Sequence, residues 1–265
     1  MIKYEVMKNK IILFTSALIV SLLFTSAKMA KDEYKVIKVI GKIVYKTSGN
    51  PMGTGDVFST DTPIKFVTEN ARAAVISNLK GRFVLAPPSA TKKTNLVPAV
   101  NSISSRSGAI VNELDFKRHF EGDYLILNSV KIPVSPQNFP QNDKNFFFVS
   151  YEYEGEKIMK RLPVGEGNVV LNQDDVFVVD GKKIQPFTTK MVLYYRDSNQ
   201  KENKSLASFR AVFPNQDLLR KEVAVILDEY KDATPEMQYE QVKGYLNEFY
   251  GKPFEPNLKA WMEKN

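Results

Sequence analysis

The sequence predicts a mainly β protein with a C-terminal α-helical tail, its β part divided into β-sandwich or barrel-like modules. Two patterns and one absence predict it. Between residues 34 and 200, short apolar runs alternate with polar residues at period two, and turn residues interrupt them about every 8 to 12 positions. After Asn203 the apolar spacing lengthens to the period of an amphipathic helix. The absence is cysteine, none in 265 residues. The core must therefore form without disulfides or thiolate-held zinc, and 43% hydrophobic with 25% charged residues suffices for that.

Residues 1–27 read as a signal peptide. Lys8 and Lys10 precede an apolar run over 11–24, and the small residues Thr25, Ser26 and Ala27 follow. That run is shorter than the roughly 20 residues a membrane-crossing helix needs. Cleavage after Ala27 is expected, which makes the mature protein periplasmic or secreted. Membrane contact is expected only if the signal stays uncleaved. The net charge is +7, and the first 27 residues carry three Lys and one Glu, so the mature chain keeps +5. Its lysines are scattered among acidic neighbours rather than gathered on one stretch. No nucleic-acid partner is expected.

Residues 34–88 form the first β-domain. Val36, Ile40 and Val44 alternate with Lys38, Lys42 and Lys46 around Ile37, Val39 and Ile43, as a half-buried strand requires. Thr47, Ser48, Gly49, Asn50 and Pro51 make a turn. Gly53, Thr54, Gly55 and Asp56 make another; they lack the third glycine and following helix of a phosphate loop. Ile64 to Thr68 alternate again, and 71–76 and 82–86 flank a turn at Asn78 to Gly81. The outward side chains are expected to be Lys38, Lys42, Lys65, Glu69 and Arg72.

Val39-x-Gly41-x-Ile43, Gly55-Asp56-x-Phe58-x-Thr60, Ala73-x-Val75 and Gly81-Arg82-Phe83-Val84-Leu85 together resemble the FecR-like domain. The resemblance covers about a fifth of the chain. It implies a small periplasmic β-module that recognises another envelope component. The hairpin here reads Leu79-Lys80-Gly81-Arg82, without the family's acidic residue. No anti-sigma segment precedes the signal, so the sigma-regulating role is not implied.

Residues 89–112, rich in Ser, Thr, Asn and Pro, read as a linker. Residues 113–200 form a second antiparallel β-region. Strands are expected at 124–127 and 130–134 around Asn128 and Ser129. Residues 146–153 and 157–162 make a hairpin through Glu154-Gly155, and 176–179 and 183–185 make another through Asp180-Gly181. Residues 191–195 close the set. Phe146, Phe147, Phe148, Tyr151 and Tyr153 suggest a stacking platform for sugar or peptide, but both faces of that strand are apolar, which predicts core.

Residues 201–265 form the helical C-terminal segment. Asn215 or Gln216 starts a helix with Leu219, Val223, Ile226, Leu227 and Tyr230 on one stripe. Thr234 and Pro235 start a second, with Val242, Tyr245, Leu246 and Phe249, ended by Gly251. Leu258, Trp261 and Met262 mark a last turn or two. The tail is expected to pack on the sheet.

No catalytic, cofactor-binding or metal-binding residue is assigned. The single His119 is expected in a solvated loop. Ser-x-x-Lys occurs at Ser77, Ser89 and Ser198 without the companions of a hydrolase. Asp174, Asp175 and Asp180 lie near a turn without calcium-loop spacing, and Glu152, Glu154 and Glu156 alternate along a strand edge. The expected function is a non-catalytic envelope protein binding a protein partner or cell-surface polymer. The rival is an exported hydrolase working through a carboxylate pair.

Overall fold

The computed structural model describes residues 32–77, 79–88, 96–99, 108–200 and 203–265. The signal expected at 1–27, Asn78 and Ser89 lie outside them. The strands and helices, in chain order, begin with β1 (Glu33–Ile40), β2 (Ile43–Tyr45), β3 (Val57–Ser59), β4 (Ile64–Phe66), β5 (Arg72–Ser77), β6 (Gly81–Leu85) and β7 (Leu96–Pro98). Five of them form a sheet in the order β3-β1-β5-β6-β7, and β2 pairs with β4 as a separate ribbon. The ribbon lies over one face of the sheet, where Tyr34, Val36, Ile43, Met52, Phe58, Val75 and Leu85 close a small core. Each of the larger side chains adds roughly 1.5–3 kcal/mol of burial.

The turn glycines have steric reasons. Gly41 has φ +73°, and a Cβ there would stand 2.4 Å from Oγ1 of Thr68, which itself accepts the Lys42 amide. Asp56 accepts from the Gly53 amide at 2.8 Å and the Tyr45 hydroxyl at 3.0 Å, pinning the Gly53 to Asp56 turn against β2.

β1 departs from simple alternation. Its register against β5 shifts between Val36 and Lys38, a bulge that leaves both Ile37 and Lys38 on the face away from the small core. Lys38 is therefore not an outward residue. It lies under the helical tail, 2.9 Å from Glu222 and 2.6 Å from the Tyr250 hydroxyl. Lys42, Lys65, Glu69 and Arg72 are exposed as expected. In the stretch expected to be a linker, β7 is a strand, paired with β6. Residues 89–95 and 100–107 are outside the described residues.

The second unit holds α1 (Glu113–His119), β8 (Asp123–Leu125), β9 (Ser129–Pro133), β10 (Phe146–Tyr153), β11 (Glu156–Arg161), β12 (Asn168–Asn172), α2 (Gln173–Val176), β13 (Val178–Val179), β14 (Lys182–Lys183), β15 (Thr189–Arg196) and β16 (Lys204–Val212). A six-stranded sheet runs β11-β10-β15-β16-β8-β17, the last being Lys252–Pro253 in the tail. It is antiparallel except at β8, which runs parallel to both neighbours. β16 corrects the expectation that helix begins after Asn203, since Lys204 to Val212 make the longest strand of the chain described. Its Ser and Ala residues dilute the β-branched and aromatic signal by which a strand is read.

Glu154 and Gly155, both at positive φ, close the β10–β11 hairpin, and Asp180 and Gly181 close β13–β14. One face of the large sheet is covered by the β9–β12 pair and α1 in a core that includes Phe116, Phe120, Phe147, Val149, Tyr151 and Leu193.

The tail has α3 (Gln216–Glu229), α4 (Pro235–Phe249) and α5 (Glu255–Lys264). Asn215 caps α3 through the Leu218 amide and Thr234 caps α4 through the Met237 amide, with Pro235 at its start. Gly251 ends α4 at φ +119°, and a Cβ there would fall 2.5 Å from the Asp123 carbonyl oxygen. Leu219, Val223, Ile226, Val242, Tyr245, Leu246, Leu258 and Trp261 pack onto Ile37, Ala74 and Ile76 of the first sheet. The same cluster takes in Leu125, Leu127 and Val212 of the second sheet. The tail thus covers the second face of the first sheet and joins the two β-units through one shared core. The described residues are mainly β, with 39% strand and 23% helix, and among them no sheet closes into a barrel.

Candidate functional site

Both faces of the first sheet are covered. The large sheet differs, because the tail covers its second face only at Val212 and Leu125 of β16 and β8, and over β11, β10 and β15 no strand or helix lies on that face among the described residues. Residues paired across an antiparallel ladder share a face. Phe146, Phe148, Ser150 and Glu152 of β10 therefore point outward with Arg161, Met159 and Lys157 of β11, and with Arg196, Tyr194 and Val192 of β15. Lys190 lies opposite Arg210, and Val192 opposite Ser208, on β16.

Neighbouring side chains shape this face into an aromatic and basic surface. Tyr194 stacks on Phe148 with centroids 4.9 Å apart and planes 6° from parallel. Phe146 stands 6.2 Å from Phe148, with the Arg161 guanidinium 4.3 Å above its ring. Next to Tyr194 the face sinks into a dish of about 590 Å³. Ser150 and Val192 line it with Tyr194, Lys157, Lys190 and Glu152. The Lys157 ammonium lies 5.8 Å from the Tyr194 ring centroid.

The charges are not balanced. Arg210 is held by Asp123 at 2.5 Å and Arg161 reaches Asp143 at 3.5 Å. Lys157, Lys190 and Arg196 form no ion pair with a described residue; Arg196 donates to the neutral Asn203 amide oxygen instead. Lys190 sits directly opposite Arg210, whose own charge is met by Asp123.

The expected stacking platform is thus split by the pleat. Phe147 and Tyr151 go to the core, where the Tyr151 hydroxyl donates to the Val176 carbonyl at 2.9 Å, and Tyr153 packs at the edge of that core. Phe146 and Phe148 go to the open face. The expectation of core holds for Phe147, Phe148 and Tyr151, which are buried, whereas Phe146 and Tyr153 are half-buried. Tyr194 completes the open half, and the period-two pattern of β15 was the signal that placed it beside Phe148.

The other sites singled out in the sequence lie elsewhere. His119 is not in a solvated loop. It ends α1, packs against Phe120, Tyr124 and Phe254, and its Nε2 is 2.8 Å from the Tyr124 hydroxyl. Burial, with some repulsion from Lys252, pushes its pKa down to about 4. Asp174 sits in the first turn of α2, its amide capped by Asn172, and its carboxylate pairs with Lys183 at 3.2 Å. Glu154 and Asp180 occupy hairpin turns. Ser77 is buried in β5 and Ser198 is on an exposed turn. No group of three or more His, Asp or Glu side chains converges on a point that could hold a metal ion among the described residues.

A buried charged cluster escaped sequence reading. Glu222 on α3 accepts from Lys38 at 2.9 Å, from Tyr245 at 2.6 Å and from Tyr250 at 2.5 Å. Burial and the Glu222 carboxylate push both phenols up, so they remain donors. Its place between β1 and the tail makes it a structural tie rather than a surface for a ligand.

Compared with known proteins, the chain matches no protein-family model and no curated protein.

Proposed function

We propose that this is an exported, non-catalytic envelope protein that binds a partner protein or cell-surface polymer through the open face of its six-stranded sheet. The observation that carries the reading is the uncovered part of the face over β11, β10 and β15, where Phe146 and Tyr194 are half-buried beside a buried Phe148, and Lys157, Lys190 and Arg196 form no ion pair with a described residue. An aromatic and basic surface of this kind supplies contact area and orientation together. It holds a single carboxylate on β10, Glu152, so the opposed pair needed for carboxylate hydrolysis is not assembled in the dish.

Two further observations support the rest of the reading. The layout of residues 1–27 supports export to the periplasm or beyond. The residues that resemble the FecR-like domain fall on β1, the Gly55-Asp56 turn leading into β3, and the β5–β6 hairpin. In this chain that module supports the tail and the second sheet, and recognition passes to the larger sheet.

The test is retention of envelope material by the purified, exported chain. Wild type retains a specific component. Tyr194→Ala with Lys190→Glu abolishes retention, whereas Lys42→Glu with Lys65→Glu on the first module leaves it unchanged. Hydrolysis of peptidoglycan, polysaccharide and ester substrates stays at background. Turnover lost on Glu152→Gln would overturn the non-catalytic reading, and retention indifferent to Tyr194 would overturn the assignment of the face.

A further inference from the structure

We infer that the dish takes a carboxylated sugar, one acidic ring of a polysaccharide; this rests on the reading of the open face as the binding surface. Three features of the dish select the ligand class. Tyr194, stacked on Phe148, also lines the dish, and an aromatic ring suits the flat side of a sugar ring. Lys157 and Lys190 stand on strands at opposite sides of β10 and both line the dish; neither forms an ion pair with a described residue, although Glu152 lies opposite Lys157 on the ladder. Lys157, 5.8 Å from the Tyr194 ring centroid, places positive charge beside a ring carboxylate, and Lys190, four residues along β15, extends it along the dish. Ser150, Thr189 and Glu152 add the short polar groups that sugar hydroxyls require.

The position in the sheet argues against a peptide. An extended peptide binds a sheet by adding to an edge, where backbone donors and acceptors are free. The dish has Ser150 and Glu152 of β10 in its lining, and β10 is paired on both sides, so the ligand meets side chains there and not the free edge of β11. Its volume of about 590 Å³ falls within the roughly 300–1,000 Å³ typical of small-molecule sites.

The experiment is calorimetric titration of the exported full chain with four probes: hexagalacturonate, neutral maltohexaose, polyglutamate and a thymidine oligonucleotide. Hexagalacturonate binds, its affinity falls with added salt, and maltohexaose binds at least about tenfold more weakly. Tyr194→Ala and the pair Lys157→Ala with Lys190→Ala each weaken hexagalacturonate at least about tenfold, with circular dichroism unchanged. Equal binding of maltohexaose would overturn the carboxylate requirement. Tighter binding of polyglutamate or the oligonucleotide would overturn the sugar. No binding of hexagalacturonate, while envelope retention still depends on Tyr194, would overturn the ligand class and leave the face standing.

Discussion

Lys38 shows what a single residue can hide. By alternation it is a solvent-facing lysine, and the bulge beside it turns it into the partner of a buried carboxylate. Nothing in the local sequence marks a bulge here, because Val36, Ile37 and Lys38 fit a strand equally well in either register. The Glu222 side chain is only 6% exposed, so removing it leaves Lys38 without its countercharge under the tail. Glu222→Ala should cost on the order of 3 kcal/mol of stability in urea unfolding, and Glu222→Gln less. A loss below about 1 kcal/mol would mean that the cluster is screened like a surface pair.

His119 is the second residue whose setting could not be read from its neighbours. Lys117, Arg118 and His119 look solvated, and the burial comes from Tyr124 and Phe254, the latter far away in sequence. Its folded pKa of about 4 lies below the ordinary value of 6.5. Between those values the unfolded chain takes up a proton that the folded chain refuses. Its contribution to stability is therefore complete above pH 6.5 and is lost as pH falls towards 4. Chemical denaturation across that window should show a shallower acid loss for His119→Gln than for wild type. Equal slopes would contradict the buried neutral ring.

At the scale of elements, the strongest local signals were legible. The β10–β11 hairpin, with Glu154 and Gly155 in the turn, and the capped starts of α3 and α4 stand where the spacing and cap residues put them. β16 was not legible, because Leu206, Ala207, Phe209, Ala211 and Val212 form a strand through pairing with β15 and β8, not through propensity. The end of α4 was readable as a glycine stop, but its second reason is tertiary, the close approach of β8. Gly251→Ala meets both a positive φ and the Asp123 carbonyl. It should lower stability by about 1–3 kcal/mol, measured by thermal or urea unfolding. A change within about 0.5 kcal/mol would show that β8 and the tail can separate without penalty.

At the scale of the molecule, the mainly β character and the helical tail could be read from periodicity, and the way the sheets and tail join could not. The apolar stripes of α3 and α4 say that the helices need a surface, not which one. They take Ile37, Ala74 and Ile76 from one sheet and Leu125, Leu127 and Val212 from the other. Trp261, the single tryptophan, sits in that shared core. Its fluorescence and the far-ultraviolet circular dichroism should lose signal in one coincident transition. Two separated transitions would show that the units unfold independently. The open face follows from the same arrangement, because the tail covers the first sheet on its far side and reaches the large sheet only at its β16–β8 end, leaving β11, β10 and β15 bare on one side. Half of that site was visible in the alternation of β10, and the other half needed the cross-strand neighbour Tyr194.

The most direct measurement places a photo-crosslinking amino acid on the exported chain in living cells, at Val192 in the dish or at Lys65 on the first module. The face assignment predicts a light-dependent adduct with an envelope component at position 192 and none at 65. An adduct confined to 65, or none at 192 while the protein is folded and exported, would contradict it.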